Sequence, residues 1–172
     1  NMGPVSCEQQ LKTVLKYIDI GKKEGAKLIF GGKQLTDGDY SKGFFVQPTV
    51  FEAKHGMRIT KEEIFGPVLS VIKIKDCNEA IKIANDVEYG LSASIYTKDV
   101  NLGFRAIEDL EAGIIYINAP TIGAEVHIPF GGIKNTGNGG REAGSTAIDE
   151  FTEIKTVCID YSDKLQKAQI EE

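Results

Sequence analysis

The residues able to do chemistry fall into two short strings and a few isolated side chains. The longer string, Pro129–Gly144, reads PFGGIKNTGNGGREAG and sets six glycines beside Lys134, Arg141 and Glu142. Glycine loses more backbone entropy on folding than any other residue. Such a density is therefore kept where the backbone takes positive φ or approaches something closely. A solvated linker is the plainer alternative, but linkers are featureless Gly/Ser chains, whereas Phe130, Lys134 and the Arg141–Glu142 pair interrupt this one. Two phosphate-binding patterns fail here. A P-loop needs Lys followed by Ser or Thr after its glycine, and Lys134 lies between Ile133 and Asn135. A dinucleotide fingerprint needs G-x-G-x-x-G, and after Gly137 and Gly139 the third position is Glu142.

The shorter string is Glu62–Pro67, EEIFGP. By local physics Thr60 and Glu63 make a capping box, with the carboxylate reaching back to the helix start. Cys7 follows Ser6 at the start of an apolar-periodic segment. Ser6 and Gln9 predict a capped helix there, while a thiol at a helix N-terminus has a lowered pKa and can be reactive. No histidine lies near Cys7 in sequence. His127 stands alone, and an isolated histidine is more often structural or exposed than catalytic.

The elements that must position these strings can be read from periodicity. Leu11, Val14, Leu15 and Ile18 recur at helical spacing, and Gly25 ends that helix. Ala26–Phe30 predicts a strand. Phe44–Phe51 predicts another, at an edge or bulged because of Pro48. Val68–Ile74 is almost continuously apolar, as in a strand buried on both faces. Asp76 with Glu79, and Asp99, cap two further helices, each preceding a strand, Leu91–Tyr96 and Gly113–Asn118. This alternation predicts an α/β fold, a mostly parallel sheet covered by helices. Arg141–Phe151 predicts a short helix, Thr152–Tyr161 a C-terminal β arm, and Ser162–Glu172 a charged surface tail.

Composition narrows the class. With 41% hydrophobic and 26% charged residues, the 172-residue chain suits one globular domain with a sizeable core. Net charge is −5 and the basic residues are scattered, which argues against nucleic acid and polybasic membrane contacts. No apolar run approaches the ~20 residues of a bilayer span. Cys7, Cys77 and Cys158 are too few and too far apart for a disulfide framework or a zinc site, so no metal is expected and a reducing, cytoplasmic setting is the simpler reading.

Taken together, the two strings resemble the signatures of the NAD(P)-dependent aldehyde dehydrogenases. Pro129, Phe130, Gly131, Gly132, Lys134, Thr136, Gly137, Gly139, Arg141, Glu142 and Gly144 follow the family order, with Gly140 as an extra residue before Arg141. That extra residue resembles a branch acting on semialdehydes. Flanking phrases agree, and the resemblance runs from Met2 to about Tyr161. It implies that Glu63 accepts hydrogen bonds from the nicotinamide ribose of NAD or NADP, that Phe65 packs beside that ribose, and that Phe130 lines the aldehyde tunnel. It implies a catalytic-domain portion over 1–150, an oligomerisation strand over 151–161 that joins a partner subunit, and a tail over 162–172. The family's cysteine nucleophile, glutamate base and dinucleotide-binding domain lie upstream of the matched region. The chain thus resembles a C-terminal piece of a longer enzyme, with no catalytic residue of its own and no turnover alone. The alternatives are a stand-alone oligomerising interaction module and a piece of an acyl-CoA-forming relative.

Overall fold

The computed structural model describes residues 2–123 and 125–164. Its first helix, α1, spans Glu8–Lys23. Leu11, Val14 and Ile18 stand at i, i+3 and i+7 on one face and are buried, which is the stripe an amphipathic helix turns to a core. The box expected from Ser6 and Gln9 does not form. Cys7, extended at φ −158°, occupies the N-cap instead, so Gln9 falls at the second helical position, too early to reach back. At the other end Gly25 takes φ +84°. Its N–H donates to the Lys22 carbonyl (3.1 Å) and that of Ala26 to the Gly21 carbonyl (2.9 Å). These two bonds satisfy carbonyls that a helix end otherwise leaves open.

Strands β1 (Lys27–Phe30), β2 (Thr49–Glu52) and β3 (Val68–Val71) form one sheet in that order. β1 and β2 run antiparallel, with a register shift between Leu28 and Phe30. β2 and β3 run parallel, Thr49 opposite Val68 and Glu52 opposite Val71. The expected edge position of the Pro48 strand is corrected here. β2 is the central strand, and Pro48 lies just before it, where its missing N–H removes no ladder bond. Gly31 makes this entry possible, because a Cβ there would strike the Pro48 carbonyl.

The second half follows the βαβ pattern. Helix α2 (Cys77–Asn85) is capped by Asp76, whose carboxylate accepts from the Glu79 N–H at 2.8 Å, while Glu79 accepts from the Lys75 N–H at 2.7 Å. A short β4 (Tyr89–Gly90) precedes β5 (Ser92–Ile95). Helix α3 (Val100–Asp109), capped by Asp99, crosses over to β6 (Ile114–Ile117), which pairs parallel with β5. β7 (Ile133–Lys134) pairs antiparallel with β4. The α/β class therefore holds, and of the two parallel pairs β5–β6 lies where the alternation put parallel strands, whereas β2–β3 joins two strands with no crossover helix between them. Among the described residues the strands are divided into three small sheets rather than joined in one.

Two expectations change. The helix over Arg141–Phe151 shrinks to α4, Ala147–Phe151, because Ala143 (φ +67°) and Gly144 (φ +62°) break it with left-handed backbone. Val68–Ile74 is not buried on both faces, since Leu69, Val71 and Ile74 are exposed. Residues 152–161 belong to no strand in this chain and are exposed along their length. The expected tail at 162–172 lies, from 165 onward, outside the described residues.

The core gathers α1, β2 and the turn at Arg58–Thr60 around Phe51, Ile18 and Val14. Gly21 lets the helix settle there, since a Cβ would already meet the Ile59 side chain at 3.0 Å. Phe51 is wholly buried. Phe51→Ala is expected to destabilise the chain by about 3–5 kcal/mol, measured by urea unfolding.

Candidate functional site

The EEIFGP string follows the turn Arg58–Thr60 and leads into β3. Its two adjacent acids have opposite fates. The Glu62 carboxylate accepts from Arg58 Nε and Nη2, at 2.7 and 2.8 Å, and from the Tyr17 hydroxyl at 2.7 Å. The Arg58 guanidinium also lies 5.9 Å from the Tyr17 ring centroid. Arg58 first and Tyr17 second hold the Glu62 carboxyl down at about 2. Glu63 is exposed, and among the described residues its carboxylate has no hydrogen-bond or ion-pair partner. The box expected between Thr60 and Glu63 is absent, because the Thr60 hydroxyl donates instead to the Met57 carbonyl at 2.7 Å.

Beyond Glu63 the loop alternates. Ile64 enters the core, while Phe65 is 81% exposed at φ +52°. Left-handed backbone costs a non-glycine residue about 1–2 kcal/mol. The compensation comes from α1. The Gln10 side-chain amide donates to the Ile64 carbonyl at 2.8 Å and to the Phe65 carbonyl at 2.9 Å. At about 1 kcal/mol net apiece, two such bonds offset the strain. Gly66 then presses on Val14, where a Cβ would not fit. Gln10, Val14 and Tyr17 thus form one stripe of α1 that holds the string from Glu62 to Gly66. Phe65 and Gln10 flank an open groove of about 470 Å³, completed by Pro4, Val5 and Pro67.

The glycine-rich stretch is held by backbone contacts. Phe130 and Glu142 exchange two backbone hydrogen bonds, at 2.6 and 2.8 Å, closing the intervening residues into a loop. A Cβ on Gly137 would strike the Gly132 carbonyl, and one on Gly113 the Gly131 carbonyl. The charges of Lys134 and Arg141 are engaged within the chain. Lys134 Nζ donates to the Asn85 carbonyl (2.6 Å) and the Val87 carbonyl (3.2 Å) and pairs with Glu111 at 2.5 Å. Arg141 donates to the Gly140 carbonyl (2.8 Å) and the Gly132 carbonyl (3.3 Å). Phe130 is half-buried and lines a separate cleft of about 530 Å³ with Leu91, Thr136, Asn138, Arg141 and Glu150. Glu63 and Phe65 therefore share one loop, and Phe130 belongs to another.

The remaining candidates are simpler. The N–H of Gln10 and then the Ser6 hydroxyl hold the exposed Cys7 thiol below its usual value, as a helix start does. His127 is exposed and lies 3.4 Å from Glu125. Among the described residues no cluster of His, Cys, Asp and Glu could hold a metal, and no helix is long and apolar enough to cross a membrane.

With this geometry in view, the sequence model described as the aldehyde dehydrogenase family matches residues 1–157. The chain belongs to the aldehyde dehydrogenase family. It is 46% identical over 159 residues to the alpha-ketoglutaric semialdehyde dehydrogenase of Bacillus subtilis, covering 92% of this chain and 33% of that protein. It is likewise 46% identical to the 2,5-dioxopentanoate dehydrogenase of Saccharolobus solfataricus, covering 91% and 32%. Among solved structures it superposes on a Mycobacterium tuberculosis aldehyde dehydrogenase complexed with NAD+ at a TM-score of 0.86 and 40% identity, covering 96% of this chain and 33% of that one. The chain thus spans about a third of the length of the relatives it matches.

Sequence reasoning missed Gln10, Tyr17 and Arg58 as supports of this aldehyde dehydrogenase loop. Gln10, Val14 and Tyr17 stand at i, i+4 and i+7, so the spacing was visible, but only the apolar member was read as meaningful. The pairing of Glu62 has a pH signature. Its carboxyl is depressed from roughly 4.3 unfolded to about 2 folded. Its contribution to stability is therefore full above the unfolded value and disappears as pH falls through the folded one. Glu62→Gln is expected to lower Tm at pH 7, with the gap from wild type closing between about pH 5 and pH 2. Glu63→Gln is expected to change stability by less than about 0.5 kcal/mol at any of these pH values. Calorimetry across the range checks both.

Proposed function

We propose that this chain supplies the nicotinamide-ribose and aldehyde-facing parts of an NAD(P)-dependent oxidation of a semialdehyde to a carboxylate. The observation that carries the reading is the exposed Glu63 and Phe65 on a loop whose neighbouring acid, Glu62, is already engaged. A carboxylate with two free oxygens suits two adjacent ribose hydroxyls, and an exposed aromatic face suits a flat ring. Those side chains fit the nicotinamide-ribose end of NAD or NADP. When bound, the nicotinamide supplies the hydride acceptor. Phe130 stands beside the aldehyde path in this reading, held at its depth by the bonds to Glu142. In this reading a cysteine thiolate adds to the aldehyde carbon to give a thiohemiacetal, loss of hydride to the acceptor and of the hydroxyl proton would leave a thioester, and water would release the carboxylate and return the thiol; that thiol and its glutamate base match no residue of this chain. Semialdehyde as the substrate class is supported by the names of the two relatives. Three free cysteines support a reducing, cytoplasmic setting.

The reading extends to assembly. Phe151, Ile154 and Tyr161 are 86%, 93% and 88% exposed on a segment whose backbone groups pair with no strand. An unpaired apolar segment of this kind is completed by a neighbouring strand, here that of a second copy.

Three measurements test this. In the full-length enzyme, Glu63→Gln is expected to weaken cofactor affinity or hydride transfer about tenfold to hundredfold, from the loss of charge-assisted bonds worth about 1.5–3 kcal/mol. Unchanged cofactor kinetics would remove the ribose role. Alone, the 172-residue chain is expected to give no reduced cofactor with any aldehyde; turnover abolished by mutating one of its cysteines would overturn that. Light scattering of this chain is expected to report a dimer or larger that becomes monomeric on deleting 152–172. A monomer indifferent to the deletion would show that the arm folds back.

A further inference from the structure

We infer that Gln10 is a positioning residue for the cofactor loop, setting the backbone dihedral that turns Phe65 outward; this rests on the ribose reading of Glu63 and Phe65. The argument is geometric. The carbonyls of Ile64 and Phe65 lie in successive peptide planes, and the angle between those planes is the φ and ψ of Phe65. In extended backbone successive carbonyls point to opposite sides. Here both converge on one nitrogen, Gln10 Nε2, at 2.8 and 2.9 Å. An amide nitrogen carries two hydrogens, one for each carbonyl. Among the described residues neither carbonyl has another donor. Extended backbone at Phe65 would turn the two carbonyls apart and leave one Gln10 hydrogen without its acceptor, whereas the left-handed backbone observed at φ +52° satisfies both.

The Phe65 side chain itself does little to select that conformer. Phe65 is not glycine, and its ring makes no core contact, being 81% exposed. Ile64 before it and Gly66 after it are anchored by packing, Ile64 in the core and Gly66 against Val14. They fix the ends of the segment, and between them Gln10 ties both carbonyls from the third helical position of α1, outside the EEIFGP string.

Three variants separate this role from simple stability. In the 172-residue chain, Gln10→Leu is expected to replace the single positive-φ state of Phe65 by a mixture. NMR couplings that report the sign of φ read this, while the amide signals of Ile18 and Phe51 stay in place. Gln10→Glu adds a pH readout. A neutral carboxyl can donate one hydrogen, whereas the ionised form turns only acceptors toward the two carbonyls. Phe65 should thus approach its native φ at about pH 3 and lose it at about pH 7. A Phe65 that keeps positive φ in Gln10→Leu, or an Phe65 indifferent to pH in Gln10→Glu, overturns the inference. In the full-length enzyme, Gln10→Leu is expected to raise KM for the cofactor about tenfold or more. If Glu63→Gln alters cofactor kinetics and Gln10→Leu does not, the positioning role fails alone. If Glu63→Gln is silent, the ribose reading fails, and the function assigned to Gln10 fails with it.

Discussion

One stripe of helix α1 governs the candidate site. Gln10, Val14 and Tyr17 each take hold of a different part of the loop from Glu62 to Gly66. Gln10 binds carbonyls, Val14 packs against a residue with no side chain, and Tyr17 binds a carboxylate. The opposite duty of the same helix, burying Leu11 and Ile18, fixes its rotation. A helix whose rotation is fixed by a core cannot turn to accommodate the loop, so the loop conforms to the helix. The Schellman-type ending at Gly25 and the close seat of Gly21 on Ile59 set the helix along its axis as well.

The glycine-rich stretch follows a different logic. Its shape comes from backbones in contact, Gly113 on Gly131 and Gly137 on Gly132, where a side chain would not fit. Its two charges then serve as ties. Lys134 reaches the turn after α2 and the turn after α3, and Arg141 binds carbonyls of its own loop. A cation surrounded by carbonyl oxygens and a paired carboxylate has little attraction left for a free anion. The resemblance of this stretch to a phosphate-binding loop is therefore one of composition only.

How much could be read beforehand depended on the range of the interaction. Asp76 and Asp99 announced their helices because a cap acts within one turn. The parallel pairing of β5 and β6 followed from the α3 crossover between them. Local rules failed where another bond, near or distant, competed. Thr60 and Glu63 have the spacing of a capping box, but Thr60 took a carbonyl, and Glu62 was drawn to Arg58 and Tyr17. Pro48 read as an edge marker, yet it sits one residue outside a central strand. The apolar run at Val68–Ile74 correctly indicated a strand, while the exposure of Leu69 and Val71 depends on what covers the sheet, which periodicity does not record. The string around Glu63 was legible as a pattern; the reason Glu63 and not Glu62 is left free lies first at Arg58, one helical turn before Glu62, and then at Tyr17, 45 residues away in sequence.

The backbone at position 65 bears on how the protein can be engineered. An aromatic residue occupies a conformation that glycine or asparagine would adopt with little strain. A search for thermostable variants would therefore converge on this position early, because replacing Phe65 by glycine relieves strain and removes an exposed ring at once. The gain would come at the surface the loop is shaped to present, as is common where stability and activity compete. Thermostabilisation of this fold is better directed to the exposed edge of β1 than to the loop that Gln10 holds.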